Sequence, residues 1–168
     1  AIARRAAGFE MKVLYHNRKR VAPEIERRCN AAYATKEDLL RQSDFVVLQV
    51  PYSKETHHLI GARELKLMKR TAILVNSTRG GVVDDAALIA ALKDGTLRAA
   101  GLDVFENEPS LNPGFLELDN VVLMPHIGSS TEATRRAMAM TAAKNLVAAL
   151  TGATPPNLLN PEALGSRR

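Results

Sequence analysis

Three ionisable residues of types suited to carbonyl chemistry, Arg79, Glu108 and His126, each follow a segment with a strand-like pattern. A guanidinium can hold a 2-oxo carboxylate through two parallel hydrogen bonds. An imidazolium can give a proton to a carbonyl oxygen as it is reduced. A carboxylate bonded to the other ring nitrogen fixes the tautomer and favours the protonated ring. By residue type alone, a packed or capping role is the commoner fate of a lone histidine after a strand. The arginine is the odd one: in "VNSTRGGVVDDAALIAAL" a charged side chain sits on a glycine turn between an apolar strand and a helix.

These residues must be positioned by the elements before them. Strands are expected at Met11–Tyr15, Phe45–Val50, Ala72–Val75, Ala99–Val104 and Asn120–Met124, where branched and small apolar residues cluster. Helices are expected between them. One runs from Pro23 to Cys29, one follows a Thr35 N-cap, one spans Ala62 to Met68, and one starts at Asp84 and stops near Gly95. Ser129 and Glu132 have capping-box spacing before a long helix, whose Ala133, Ala137, Met140, Ala143, Val147 and Leu150 recur at steps of four and three. The opening residues, Ala1 to Gly8, read as a helix with a C-terminal glycine, and the tail from Gly152 as non-helical. Strands alternating with helices imply a parallel sheet covered on both faces. Ligands bind such sheets outside the carboxyl ends of the strands.

Composition narrows the classes. The 168 residues are 46% hydrophobic and 24% charged, ordinary for one globular domain. No apolar run approaches membrane-span length, so no membrane partner is expected. The single cysteine, Cys29, excludes an internal disulfide and fits a reducing, cytoplasmic setting. The net charge of +5 comes from basic pairs scattered along helical patterns, with few aromatics to stack bases. Nucleic acid is therefore not expected as a partner. His57 and His58 are adjacent, but nothing in the sequence supplies further ligands, so no metal is expected and both read as loop residues.

The stretch from "VNSTRGG" through "GLDVFENEP" to "NVVLMPHIGSST", with "QVPYSKETHHLIG" before it, resembles the D-isomer-specific 2-hydroxyacid dehydrogenases. Within them it is most similar to bacterial glyoxylate/hydroxypyruvate (2-ketogluconate) reductases. The resemblance implies a Rossmann-type doubly wound α/β sheet. It makes Arg79 the substrate-orienting arginine, His126 the general acid and Glu108, immediately before Pro109, its partner, and it leaves Glu106 as a surface residue. It implies cofactor contacts at Pro51, Thr56, Ser77, Thr78, Asp103 and Gly128, with Asp103 on the nicotinamide carboxamide. Small 2-oxo acids are the implied substrates: glyoxylate and hydroxypyruvate first, 2-ketogluconate next. A homodimer is the implied assembly. Dinucleotide-binding corepressors share this fold and form the alternative reading.

Such domains usually end the strand at Met11–Tyr15 near an acid that holds the adenosine ribose. Here the stretch is His16-Asn17-Arg18-Lys19-Arg20, which favours a 2′-phosphate, hence NADP(H), with NAD(H) second. Arg18 is the first contact expected, then Asn17, with Lys19 or Arg20 adding charge. No G-x-G-x-x-G occurs in the chain. Residues 1–151 are accordingly assigned to a dinucleotide-binding domain without its first strand and glycine loop. Residues 152–168 are assigned to a tail returning toward a substrate domain outside the sequence.

Overall fold

The computed structural model describes residues 1–166. The chain divides into two compact units, Ala1–His126 and Ile127–Arg168. The first contains every strand: β1 (Val13–Tyr15), β2 (Ala31–Tyr33), β3 (Phe45–Leu48), β4 (Ile73–Asn76), β5 (Ala99–Leu102) and β6 (Val121–Leu123). All pairings are parallel, in two ladders: β1-β2, and a four-stranded sheet of order β3-β4-β5-β6. In the larger sheet Val46, Leu74, Ala100 and Val121 lie in register, as do Leu48, Asn76, Leu102 and Leu123.

The helices of this unit are α1 (Ile2–Ala6), α2 (Pro23–Cys29), α3 (Lys36–Gln42), α4 (Ala62–Leu67) and α5 (Asp85–Lys93). Local chemistry sets their ends. Pro23 begins α2 with its ring-fixed φ. The Thr35 hydroxyl accepts from Asp38 N at 3.1 Å, and the Asp84 carboxylate from Ala87 N at 2.9 Å, each satisfying an amide with no partner inside the helix. Gly95, at φ 71°, lets the chain leave α5.

The core lies on one face of the four-stranded sheet. Leu40, Leu65, Leu88 and Leu92 from α3, α4 and α5 pack with Val46, Leu48, Leu74, Ala100 and Leu102. The opposite face of β3 is open, with Phe45 51% exposed and Val47 37% exposed. Within this unit the burial of β3, β4 and β5 alternates with the pleat.

Other departures are local. β1 starts two residues late, and the short β2 carries no strong strand signal in its Ala-Ala-Tyr. After α1 the chain passes through a 310 turn at Ala7–Phe9, and Glu10 rather than Gly8 takes the left-handed conformation, at φ 56°.

In the second unit α6 spans Glu132–Leu150. Its N-cap is Thr131, whose hydroxyl accepts from Thr134 N at 3.2 Å, so the Ser129 capping box does not form. The tail is not wholly non-helical, because Pro161–Ser166 makes a 310 segment. Asn145 anchors the tail: its side chain meets Asn157 Oδ1 at 3.0 Å and accepts from Asn157 N at 2.9 Å. Arg167 and Arg168, the end of the expected tail, lie outside the described residues. Among the described residues no helix is long and apolar enough to cross a membrane.

Candidate active site

The carboxyl ends of β4, β5 and β6 open on one cleft of about 810 Å³, lined among others by Tyr52, Ser77, Arg79, Glu108 and His126. Its size suits a small-molecule site. Arg79, Glu108 and His126 are thus brought together as expected.

The arginine turn is built around Asn76, a residue to which the sequence alone assigns no role. Asn76 ends β4 and is 1% exposed. Its Oδ1 accepts from Thr78 N at 3.1 Å and from the Thr78 hydroxyl at 2.9 Å, while its Nδ2 donates to Arg79 O at 3.0 Å. One buried amide therefore satisfies both edges of the turn. The signal was an Asn leading a Ser-Thr segment, the composition of a side-chain-stabilised turn. Arg79 itself is exposed and donates from Nη1 to Thr78 O at 2.6 Å.

The glycines after it serve a packing purpose. A Cβ on Gly80 would lie 1.8 Å from Phe105 O, and one on Gly81 would lie 2.7 Å from the Tyr52 ring. Gly80 is there because the loop after β5 presses its backbone onto the arginine turn.

That loop carries Glu108. Glu108 Oε1 accepts from Phe105 N at 2.8 Å, and Glu108 Oε2 lies 2.7 Å from His126 Nδ1. Burial pushes the Glu108 carboxyl up, but the bonds from His126 and Phe105 outweigh it and hold the group below its ordinary range. The contact with Glu108 is made through Nδ1, the ring nitrogen other than Nε2. His126 has φ 54° and Asn107 φ 58°, left-handed values that Asn and His adopt more readily than most residues.

Glu106 is not a surface residue. Its Oε1 is 2.6 Å from His58 Nε2, its Oε2 accepts from Asp85 N at 3.2 Å, and its own N–H donates to Asp85 Oδ2 at 3.0 Å. Asp85 is 3% exposed. Burial first, then the charges of Glu106 and Asp84, push its carboxyl up to about 6, against the opposing pull of the Glu106 N–H and of His58. His57, His58 and Glu106 hold donor atoms within 4.8 Å of one another, so the histidine pair does have a third donor nearby. The imidazoles stack at 3.9 Å and 24°, His58 is bonded to Glu106, and His57 Nδ1 meets the Tyr52 hydroxyl at 3.2 Å. The cluster is a hydrogen-bonded network.

The expected cofactor residues divide. Pro51, Ser77 and Thr78 line the cleft with Arg79. Thr56 Oγ1 donates to Pro51 O at 2.8 Å and accepts from Ser53 N at 2.7 Å, shaping the loop after β3. Asp103 leaves β5 with its N–H on Asn76 O at 2.9 Å. Asn17, Arg18 and Lys19 form an exposed turn after β1. A hydrogen bond from Ser53, first, and then a smaller effect of the Arg18 charge hold the Glu55 carboxyl below its ordinary range. Arg20 is committed elsewhere: Nε and Nη2 donate to the two oxygens of Glu26 at 2.7 and 2.9 Å. Arg20 and Tyr15 bring the Glu26 carboxyl down to about 2, and Arg20's charge is not free for a phosphate. Gly128 belongs to the second unit.

Parallel strands with a basic turn after β1, and an arginine, a glutamate and a histidine at the carboxyl edge of β4–β6, make the frame of a dinucleotide-binding domain. Residues 1–128 match the D-isomer specific 2-hydroxyacid dehydrogenase, NAD binding domain, and the chain belongs to that family. It is 55% identical over 168 residues to a glyoxylate reductase of Pyrococcus horikoshii, covering 100% of this chain and 50% of that protein. It is 53% identical over 163 residues to glyoxylate/hydroxypyruvate reductase B of Erwinia tasmaniensis, covering 96% and 50%. Among solved structures it superposes on an NADPH-dependent glyoxylate/hydroxypyruvate reductase of Sinorhizobium meliloti in complex with NADP and malonate. That match has a TM-score of 0.80 and 36% identity, over 88% of this chain and 45% of that one. The chain spans about half the length of the curated relatives it matches.

Proposed function

We propose that the protein carrying this chain reduces small 2-oxo acids to D-2-hydroxy acids, with glyoxylate and hydroxypyruvate ahead of 2-ketogluconate. The observation that carries this reading is the 2.7 Å pairing of Glu108 with His126 in the same cleft as Arg79. Arg79 holds the substrate carboxylate by its fork of donors and so aligns the oxo group. His126 gives the proton from Nε2 to the oxo oxygen, and Glu108 keeps the ring oriented while it does. The nicotinamide coenzyme, when bound, supplies the hydride.

The coenzyme fits the donors present: Arg18 and Lys19 are exposed, and the Glu26 carboxylate is engaged by Arg20 and Tyr15. We assign NADP(H) as preferred over NAD(H), with Asn17, Arg18 and Lys19 toward the phosphate. Pro51, Thr56, Ser77, Thr78, Asp103 and Gly128 complete the contacts. The Sinorhizobium relative named as NADPH-dependent supports that preference.

Residues 1–151 serve as the dinucleotide-binding domain and residues 152–168 as the return toward a substrate domain. The separation of β1-β2 from β3-β6 supports the reading that a further central strand joins the two ladders. A cytoplasmic homodimer is the proposed setting.

The test is reduced-nicotinamide absorbance loss in the intact protein, with NADPH and NADH against glyoxylate, hydroxypyruvate and 2-ketogluconate. Turnover preferring NADPH supports the whole reading, and NADH preference removes the coenzyme assignment alone. Dinucleotide binding with no turnover of any of the three removes the substrate assignment.

A further inference from the structure

The sequence separates His58 from Glu106 by 48 positions, yet their side chains meet at 2.6 Å at the back of the cleft. What each one holds gives the contact its meaning. The His58 backbone holds the arginine turn, because His58 N donates to Gly81 O at 2.8 Å and the segment continues through Ile60 N to Val82 O at 3.2 Å. The Glu106 backbone belongs to the loop that carries Glu108, two residues on. That loop is further pinned by the reciprocal Glu106–Asp85 bonds at 3.0 and 3.2 Å and by Phe105 packed edge-on against buried Phe115. Gly80 leaves no free space between turn and loop.

We propose that His58 and Glu106 are positioning residues for the proton-transfer pair. Their contact fixes the loop bearing Glu108 against the turn bearing Arg79, and so sets the substrate-orienting guanidinium and the His126 acid at one working separation. Neither side chain is assigned to touch substrate. His58 also has Asp84 Oδ2 at 3.8 Å from its Nδ1, so the imidazole bridges acids on both sides and resists rotation away from Glu106.

The kinetic consequence rests on the reductase reading, but the structural consequence does not. If the latch is released, the Phe105–Glu108–His126 arrangement loosens, and the Glu108 carboxyl loses the bonds that hold it low. It then titrates closer to an ordinary glutamate. The experiment is carbon NMR of Glu-labelled intact protein, with Glu108 assigned through Glu108→Gln, in wild type, Glu106→Ala, His58→Asn and Glu106→Gln. Dinucleotide affinity and kinetics are measured on the same samples.

An upward move of the Glu108 titration in Glu106→Ala and His58→Asn, with dinucleotide affinity kept, supports the proposal. So does a kcat loss of roughly 10- to 100-fold at a nearly unchanged KM for the oxo acid. Glu106→Gln keeps an acceptor for Asp85 N and an amide able to meet His58, and it restores most of both readouts. A Glu108 titration unmoved in the folded variants overturns the proposal. So does a kcat loss that merely follows the folded fraction. Should Glu106→Ala not fold, His58→Asn makes the same comparison from the other side of the contact. A wild type inactive on every oxo acid refutes the reductase reading while the titration still decides the latch.

Discussion

The substitution Gly80→Ala isolates the claim that two backbone segments must touch for the site to exist. A Cβ there would stand 1.8 Å from Phe105 O, 1.9 Å from Phe105 C and 2.5 Å from Glu106 N. An ordinary carbon–oxygen contact is about 3.3 Å or more, so turn and loop must part by roughly 1.5 Å. Neither side can yield by a rotamer change, since every nearby atom is main chain. The loop is held by Asp85 and His58, and the turn by the buried Asn76 amide. Overpacking at such a place costs about 3 kcal/mol, and a displacement of that size between reacting groups lowers the rate about 100-fold or more. Gly81→Ala is the internal control. Its Cβ would meet the Tyr52 ring at 2.7 Å, but Tyr52 is a side chain 52% exposed, and swinging it aside costs its 3.2 Å contact with His57 Nδ1 rather than a main-chain shift. The assay is kcat/KM for glyoxylate reduction beside thermal unfolding of both variants. A deep loss in Gly80→Ala with a small one in Gly81→Ala is expected. Equal behaviour of the two, or a Gly80→Ala protein as active and stable as wild type, refutes the close-approach argument.

Other consequences follow from the same geometry. The Asp85 carboxyl sits near 6 in the fold against 3.8 for the free group, so the folded state holds a proton that the unfolded chain releases. Its contribution to stability therefore falls as pH rises from about 4 to about 6 and stays lost above, by up to about 3 kcal/mol. Asp85→Asn, which can still accept from Glu106 N, is expected to unfold later than wild type at pH 8 and no later at pH 4. Denaturation with no such pH-dependent gap contradicts the assignment. Arg18→Glu should reduce the NADPH-over-NADH ratio of kcat/KM at least about tenfold, the worth of one charge-assisted contact turned repulsive; an unchanged ratio rules Arg18 out. Asn76→Asp replaces the donor to Arg79 O with an acceptor in a site 1% exposed, and should cost about 3 kcal/mol in unfolding free energy and most of the activity. Neutrality in both assays shows that the turn does not depend on that amide.

What could be read from the sequence was what local chemistry decides. The Thr35 and Asp84 caps, the Pro23 start and the Gly95 stop needed only neighbours a few residues away, and they form. Arg79, Glu108 and His126 could be placed at one sheet edge because parallel strands present their carboxyl ends together. The caps failed where two hydroxyls competed: Ser129 has the right partner at Glu132, yet Thr131 takes the position with Thr134 N. Glu106 was misjudged because its partners, His58 and Asp85, are distant in sequence and meet it only after the loop folds back. Arg20 was counted with the basic turn because nothing local shows that Glu26, six residues on and on the next helix, will take both of its donors. Asn76 was visible as a residue type but not as a buried one, since burial there depends on three neighbouring elements.

The central role proposed in this cleft is that of His126 as proton donor. Single-turnover hydride transfer from bound NADPH to glyoxylate, in wild type and in His126→Ala, measures that step apart from coenzyme binding. The expected result is dinucleotide affinity within about twofold of wild type and a transfer rate reduced by about 100-fold or more, the usual worth of a positioned acid. Transfer at the wild-type rate in His126→Ala, with the coenzyme bound as before, would show that the proton comes from elsewhere and that the Glu108–His126 pair is not the acid.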